Sequence, residues 1–142
     1  MTMTIGRALE SDFDGISLLL REAGLPTDGL REHLASGIVA RDGSRIVANA
    51  ALEIYGDGAL LRSVAVAQEM RGTGLGRAIV EAALEHGRER GVRTFYLLTV
   101  SANDFFEHLG FAEIARSAVP ASVQESIEFT IHCCGSATVM KR

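Results

Sequence analysis

The chain has 142 residues, an apolar content of 47% and a formal net charge of −4, which together predict a single globular domain over residues 1–142. A charged fraction of 23% excludes a disordered chain, and the lack of a clustered basic face argues against a nucleic-acid partner. No apolar stretch reaches the length of a membrane span and no secretion signal is evident, so we expect a cytoplasmic protein with no membrane partner.

The first part of the chain predicts one strand and two helices. Residues 3 to 9 alternate apolar and polar positions, as an edge strand does. Ser11 is expected to cap a helix that ends at Gly24, and Pro26 and Asp28 begin a second, short helix. The apolar face of the first helix is expected to consist of Phe13, Ile16, Leu19, Leu20 and Ala23.

The middle of the chain predicts an antiparallel meander of three strands. Asp42-Gly43 is a strong hairpin turn between the runs Ile38–Arg41 and Ile46–Ile54. The Gly-Asp-Gly sequence at 56–58 makes a second tight turn into Ala59–Val66. Such a meander favours an α+β fold over a doubly wound α/β fold.

Three alternate glycines follow the last strand of the meander. They are Gly72, Gly74 and Gly76. Without side chains, their N–H groups can converge on an anion, and the helix predicted over Leu75–Arg90 adds unpaired donors and the positive end of its dipole. Arg71 and Arg77 can add charge-assisted contacts from the two ends of the loop. The pattern suits a diphosphate; the alternative is a glycine-rich turn between two solvated arginines.

The rest of the chain predicts a buried strand and several short elements. The strand Thr94–Val100 is joined to Ala59–Val66 through a helical crossover, so these two strands are expected to be parallel within an otherwise antiparallel sheet. The later elements are a short helix from Asn103 to Gly110, a strand over residues 112 to 118, a helical or irregular piece from Pro120, and a strand at Ala137–Lys141.

Two motifs, about thirty residues apart, resemble signatures of the GNAT superfamily of N-acetyltransferases. Arg71–Gly76, preceded by Val64–Val66, is similar to the acetyl-CoA loop, and Phe105–Phe111 is similar to the second signature, a short helix closed by Gly-Phe. The resemblance implies an α+β fold with a mixed, mostly antiparallel sheet flanked by about four helices. It also implies that the central parallel pair is splayed and that acetyl-CoA, the cosubstrate, inserts its pantetheine arm in the gap.

The resemblance implies a set of acetyl-CoA contacts. They are Val64, Val66, Arg71, Gly72, Thr73, Gly74, Leu75, Gly76, Arg77, Asn103 and Phe106. In this reading main-chain groups of Val64 and Val66 bind the pantetheine arm, and the N–H of Val64 or of a neighbour polarises the thioester carbonyl. Many relatives have a tyrosine where this chain has Phe106, so we expect Ser101, Asn103, Tyr96 or a water to protonate the thiolate, unless it leaves unassisted.

Three polar residues of the predicted central strands are candidates for the acceptor side. Glu53 is the first choice for the base, directly or through a water, and its alternative is a solvated outward position. Arg62 either pairs with a carboxylate such as Glu53 or binds a substrate carboxylate. Thr99 is expected to contact the acceptor. His108, in the second signature, is the histidine expected nearest the chemistry, with a surface role as its alternative.

A narrower resemblance is to the small N-acetyltransferases of arsenic-resistance operons and to the acetyltransferase domain of N-acetylglutamate synthase. It rests on Leu61–Val66, Leu97–Thr99, Phe105-Phe106 and Cys133–Met140. It implies transfer of acetyl by direct attack to a small amine or amino-acid-like acceptor. A role in arsenic resistance and a homodimer are both compatible with this resemblance.

Two alternatives stay open. The first is a non-catalytic acetyl-CoA-binding module, because the position of the usual tyrosine is Phe106. The second concerns the adjacent cysteines Cys133 and Cys134, which either hold a soft metal or arsenical or are small half-buried residues. No metal site is expected.

Overall fold

The computed structural model describes residues 3–131 and 137–142, which form one mixed seven-stranded sheet and four α-helices. The strands are β1 (Met3–Arg7), β2 (Gly37–Asp42), β3 (Arg45–Tyr55), β4 (Gly58–Val66), β5 (Thr94–Thr99), β6 (Ala112–Glu113) and β7 (Thr138–Lys141). The α-helices are α1 (Phe13–Glu22), α2 (Leu75–Glu89), α3 (Asn103–His108) and α4 (Ile127–Ile131). Short 3₁₀ helices lie at Glu10–Asp12, Arg31–Ser36, Gln68–Met70, Arg116–Ala118 and Val123–Glu125.

The strands are arranged in the order β1-β2-β3-β4-β5-β7-β6. Every neighbouring pair is antiparallel except β4 and β5, which are parallel and joined through α2. The predicted α+β fold, with one parallel pair in a mostly antiparallel sheet, is therefore confirmed. Among the described residues no helix combines the length and the apolar content that a membrane crossing requires.

Two hydrophobic clusters cover opposite faces of the central strands. Leu61 of β4 belongs to the larger cluster, with α1 and α2, whereas its neighbour Leu60 packs against Val123 and Phe129 in the smaller one. Because successive strand residues point to opposite faces, α2 and the segment that contains α4 lie on opposite sides of the sheet. This arrangement leaves α4 above the face that carries Leu60 and Arg62.

Several predicted helix boundaries need correction. Ser11 does not cap the first helix: α1 begins after Asp12, whose carboxylate accepts a 2.7 Å hydrogen bond from the Leu9 N–H and pairs with Arg41. The second predicted helix is a turn followed by the 3₁₀ helix Arg31–Ser36. The predicted end of α2 needs a correction of one residue, because the helix ends at Glu89 and not at Arg90.

The strand predicted over residues 112 to 118 is wrong beyond its second residue. Ala112 and Glu113 pair with β7, after which the chain leaves the sheet and forms the 3₁₀ helix Arg116–Ala118. Alternating apolar residues are not sufficient for a strand, because each strand also needs a partner edge, and β7 is only four residues long.

Candidate active site

The parallel strands β4 and β5 pair for only part of their length. Their register runs from Gly58 opposite Thr94 to Leu61 opposite Leu97 and ends there, although β4 continues to Val66. Beyond that point a cavity of about 690 Å³ opens between the strands. A cavity of this size falls within the range typical of small-molecule sites.

A β-bulge in β4 accompanies this opening. Between the pairs Asn49–Ala65 and Ala51–Arg62, β4 contains one residue more than β3, and Ser63 has a left-handed backbone with φ of 58°. The side-chain amide of Asn49, which is 1% exposed, donates a 2.9 Å hydrogen bond to the Ser63 carbonyl. A bulge bends its strand and increases the local twist, so β4 can turn away from β5 here.

The sequence patterns considered above do not predict the role of Asn49. A signal was present, because this amide interrupts the apolar run from Ile46 to Leu52. A polar residue inside a buried strand needs a hydrogen-bond partner. The identity of that partner, a carbonyl in the next strand, depends on the register.

The glycine loop lies at one end of the cavity. Gly72 and Gly74 have φ of 80° and 88°, which non-glycine residues rarely adopt, and both line the cavity. Gly74 is also the N-cap of α2, whose first turn has neither a side-chain cap nor an acidic residue. The free N–H groups and positive dipole end of α2 therefore face the cavity with no competing protein anion.

Two arginines border this loop. Arg71 and Arg77 are exposed and line the cavity, and the Arg71 Nε donates a 3.2 Å hydrogen bond to the Val66 carbonyl. Their charges, with the amides of the loop, make this end of the cavity suited to a diphosphate.

Helix α3 forms the wall beside the loop. Gly76 lies so close to Phe105 that a Cβ at position 76 would be 3.3 Å from the Phe105 Cζ. Phe106 is buried and makes edge-to-face contacts with Phe105 and Phe111, at centroid distances of 5.0 and 5.8 Å. Phe106 lines the cavity but has no hydroxyl to donate, whereas Ser101 is exposed on the same wall.

The described structure brings most of the expected site residues to the cavity. Those that line it are Arg62, Val64, Val66, Arg71, Gly72, Gly74, Gly76, Arg77, Thr99, Ser101 and Phe106. The others are absent from the lining. Thr73 donates to the Met70 carbonyl at 2.5 Å, Leu75 is buried in the core, and the Asn103 amide donates to Thr138 at 3.0 Å.

A buried ionic cluster, which includes Arg62 and Glu128 of the cavity lining, joins β3, β4 and α4. Glu53 and Arg62 form a pair at 2.9 Å, so the structural alternative for Arg62 is the one observed. Glu128 of α4 lies 3.5 Å from the Arg62 Nη2 and lines the cavity, and Tyr55 donates to Glu53 at 2.5 Å. Glu128 is not predicted from the sequence, because no local pattern connects α4 to β4.

The position of Glu53 does not suit the predicted role of base, because its carboxylate does not reach the cavity. Its side chain is 1% exposed, and Glu53 is absent from the cavity lining. Burial raises its pKa, but hydrogen bonds from Tyr55, Arg62 and Ser126 outweigh burial and hold the pKa of Glu53 below its usual value. The pKa of Tyr55 is raised by burial and by the same hydrogen bond. The Glu53 carboxylate is therefore a counter-ion whose lone pairs are already in use.

His108, the histidine expected nearest the chemistry, is absent from the cavity lining, and so is His33. His108 is exposed, with its Nδ1 2.7 Å from the Asp104 carbonyl oxygen. His33, with a side chain 28% exposed, has its Nε2 3.7 Å from Glu53. Only the tertiary structure places His33, from the 3₁₀ helix that follows α1, beside β3. Cys133 and Cys134 lie outside the described residues.

Comparison with protein families finds one match over more than half of the chain. The model described as "Acetyltransferase (GNAT) domain" matches residues 34–113. An uncharacterized N-acetyltransferase from Chlorobaculum tepidum, CT2212, is 29% identical over 112 residues, which cover 78% of this chain and 70% of that protein.

Solved structures share the fold. N-acetylglutamate synthase from Neisseria gonorrhoeae, complexed with coenzyme A and N-acetyl-glutamate, matches all of this chain with a TM-score of 0.84 and 17% identity, but this chain spans only 35% of that protein. Rv2747 from Mycobacterium tuberculosis, in complex with CoA and NLQ, has a TM-score of 0.80 and 25% identity over 97% of each chain.

Proposed function

Because this chain belongs to the GNAT family of acetyltransferases and uses acetyl-CoA as its cosubstrate, we propose that it acetylates the amine of a small, amino-acid-like acceptor by direct attack. The observation that carries this proposal is the opening between β4 and β5, with the glycine loop at one end and a buried ionic cluster at the other. Two substrates held in one cavity can react without a covalent enzyme intermediate.

The glycine loop suits the diphosphate of acetyl-CoA. In this proposal the amides from Gly72 to Gly76 and the first turn of α2 bind the phosphate oxygens, and Arg71 and Arg77 neutralise their charge. Two glycines with positive φ keep the backbone in the required shape, and nothing lies within 4 Å of a Cβ added at Gly72 or Gly74.

The bulged end of β4 suits the pantetheine arm and the thioester. Val64 and Val66 line the cavity beyond the last pairing between β4 and β5. We assign main-chain contacts with the arm to these residues, and to the Val64 N–H the polarisation of the thioester carbonyl.

Ser101 is the hydroxyl that we assign to the departing thiolate. It lines the cavity and is exposed, whereas Phe106 occupies the position of the usual tyrosine and Asn103 is bonded to Thr138. A thiol of this kind has a pKa of about 8.5, so a weak donor is sufficient at neutral pH.

The proposal of an amino-acid-like acceptor is supported by the size of the cavity and by the ligands of two similar structures. The two solved structures described above carry N-acetyl-glutamate and NLQ with coenzyme A in the same fold. An arsenic-containing amino acid is the narrower form of the proposal, and no described residue distinguishes it from other amino acids of its size.

The experiment combines binding with turnover. Acetyl-CoA is titrated by calorimetry, and acetyl transfer to a panel of amino acids, simple amines and an arsenical glutamate analogue is followed by loss of thioester absorbance. This readout avoids thiol reagents, which would also react with Cys133 and Cys134. We expect saturable acetyl-CoA binding and turnover with amino acids, whereas failure to bind acetyl-CoA would overturn the assignment.

A catalytically idle acetyl-CoA-binding module is the second candidate, and Phe106 is the observation that favours it. It predicts the same titration curve, but no loss of thioester with any member of the panel.

A further inference from the structure

We infer that the amino group of the acceptor binds as an ammonium against Glu128, and that Arg62 is a structural counter-ion and does not bind an acceptor carboxylate. The inference rests on the proposed acetylation of a small amine, which binds as the ammonium and loses one proton to solvent through the open side of the cavity before the neutral nitrogen attacks the thioester. It names the chemical group that binds at the end of the cavity lined by Glu128, and the residue that recognises this group.

The position of Glu128 is the first argument. It lies on α4, which covers the face of the sheet carrying Leu60 and Arg62, and it is only 6% exposed although it lines the cavity. The same cavity contains Val64 and Ser101, to which we assign the thioester carbonyl and the departing thiolate. A group bound to Glu128 therefore lies in the same cavity as the reacting atoms.

The second argument is that the guanidinium of Arg62 already has protein partners. Its Nη1 donates to Glu53 at 2.9 Å, its Nε donates to Ser63 at 3.0 Å, and its Nη2 lies 3.4 Å from the Pro26 carbonyl. The Arg62 side chain is 0% exposed. To bind a substrate carboxylate, Arg62 would have to break hydrogen bonds that its guanidinium N–H groups already make with the protein.

The sign of the charge is the third argument. Arg62 contributes one positive charge, and Glu53 and Glu128 contribute one negative charge each, so the cluster sums to −1 when His33, whose Nε2 lies 3.7 Å from Glu53, is neutral. A third carboxylate, from a substrate, would be repelled by both glutamates, whereas an ammonium would bring the sum to zero. Attraction and repulsion of this kind are strong in a buried site, where water screens charges weakly.

The other cations of the cavity lie elsewhere. Among the described lining residues, Arg71 and Arg77 belong to the glycine loop and are assigned to the diphosphate. A carboxylate of an amino-acid acceptor must therefore point away from the cluster, toward the open side of the cavity. The structure thus predicts that the ammonium is required for binding near Glu128 and that an adjacent carboxylate is not.

The test compares Glu128→Gln with Glu125→Gln, which makes the same change of charge on the exposed 3₁₀ helix just before α4. Acetyl transfer is measured at saturating acetyl-CoA against the concentration of glycine, L-glutamate and ethylamine. We expect Glu128→Gln to raise the KM for each amine about tenfold or more, with the Kd for acetyl-CoA unchanged. Glu125→Gln should leave both constants unchanged.

A non-reactive cation and a conservative variant complete the test. Ethyltrimethylammonium should compete with the amine in the wild-type protein and lose this effect in Glu128→Gln, whereas propionate should not compete in either. Glu128→Asp keeps the charge and should retain most of the cation affinity. This variant separates loss of charge from loss of stability if Glu128→Gln lowers the melting temperature.

The outcomes separate the two proposals. Turnover by the wild-type protein with the same amine KM in Glu128→Gln, or competition by propionate, overturns this inference alone. Acetyl-CoA binding without turnover of any amine overturns the proposed function and, with it, the ammonium site.

Discussion

The side-chain amide of Asn49 donates a hydrogen bond to the main-chain carbonyl of Ser63, which is the one non-glycine residue with positive φ among those that the structure describes. This contact joins a buried polar residue of β3 to the bulge that opens the cavity. A left-handed conformation costs a non-glycine residue about 1–2 kcal/mol, so the surrounding contacts must hold it in place.

Asn49→Ala should weaken acetyl-CoA binding and lower the free energy of unfolding by about 1–3 kcal/mol, because the Ser63 carbonyl loses its buried donor. Asn49→Asp should be worse, since a carboxylate would face that carbonyl oxygen. Chemical denaturation and calorimetric titration measure the two effects. Unchanged acetyl-CoA affinity in Asn49→Ala would show that the bulge does not depend on this amide.

Gly74→Ala should weaken acetyl-CoA binding by about tenfold, because alanine tolerates the left-handed φ of 88° poorly and the loop would shift. Gly43→Ala is the matched control: its φ is 64°, it also has nothing within 4 Å of an added Cβ, and it lies in the β2–β3 turn. Both variants should lose similar stability, but only Gly74→Ala should lose affinity. Equal affinities by calorimetry would contradict the assignment of the loop.

Glu53→Gln should lower the free energy of unfolding at pH 7 by about 3–5 kcal/mol, the range for breaking a buried ion pair. The pKa of Glu53 is lowered in the folded state, so its contribution is present above the unfolded value of 4.5 and is lost as the pH falls through the folded pKa. The difference between wild type and Glu53→Gln should therefore shrink below about pH 4.5.

Glu85→Gln is the control for Glu53→Gln. It breaks an exposed pair with Arg88, at 3.4 Å, and should change the unfolding free energy by less than about 1 kcal/mol. Denaturation curves at several pH values provide the comparison. A pH-independent difference between wild type and Glu53→Gln would exclude the carboxylate as the titrating group.

Ser101→Ala should lower kcat by about tenfold or more at pH 7 without changing the Kd for acetyl-CoA, because the hydroxyl is assigned to the thiolate and not to binding. Phe106→Tyr in the Ser101→Ala background should restore part of the rate by supplying a phenol at the same cavity. Both effects should fade above about pH 8.5, where the thiolate needs no proton. Equal kcat values for wild type and Ser101→Ala would remove Ser101 from the mechanism.

Much of the fold could be predicted because its signals are local. The Asp42-Gly43 turn, the helix α2 and the tight turn that leads into β4 depend on residues a few positions apart, and the structure contains all three. The strand predicted over 112 to 118 failed because a strand also needs a free partner edge, which β7 supplies for only two residue pairs.

By itself, the sequence determined the strand, glycine loop and helix at which a diphosphate can bind, because backbone freedom and helix dipoles follow from neighbouring residues. Only the tertiary structure decided that Glu53 is a buried counter-ion, that Glu128 lines the cavity and that His33 lies beside Glu53. These contacts join residues far apart in the chain, and they depend on the register of β3 with β4 and on which face of the sheet α4 covers. Short-range patterns carry no information about either.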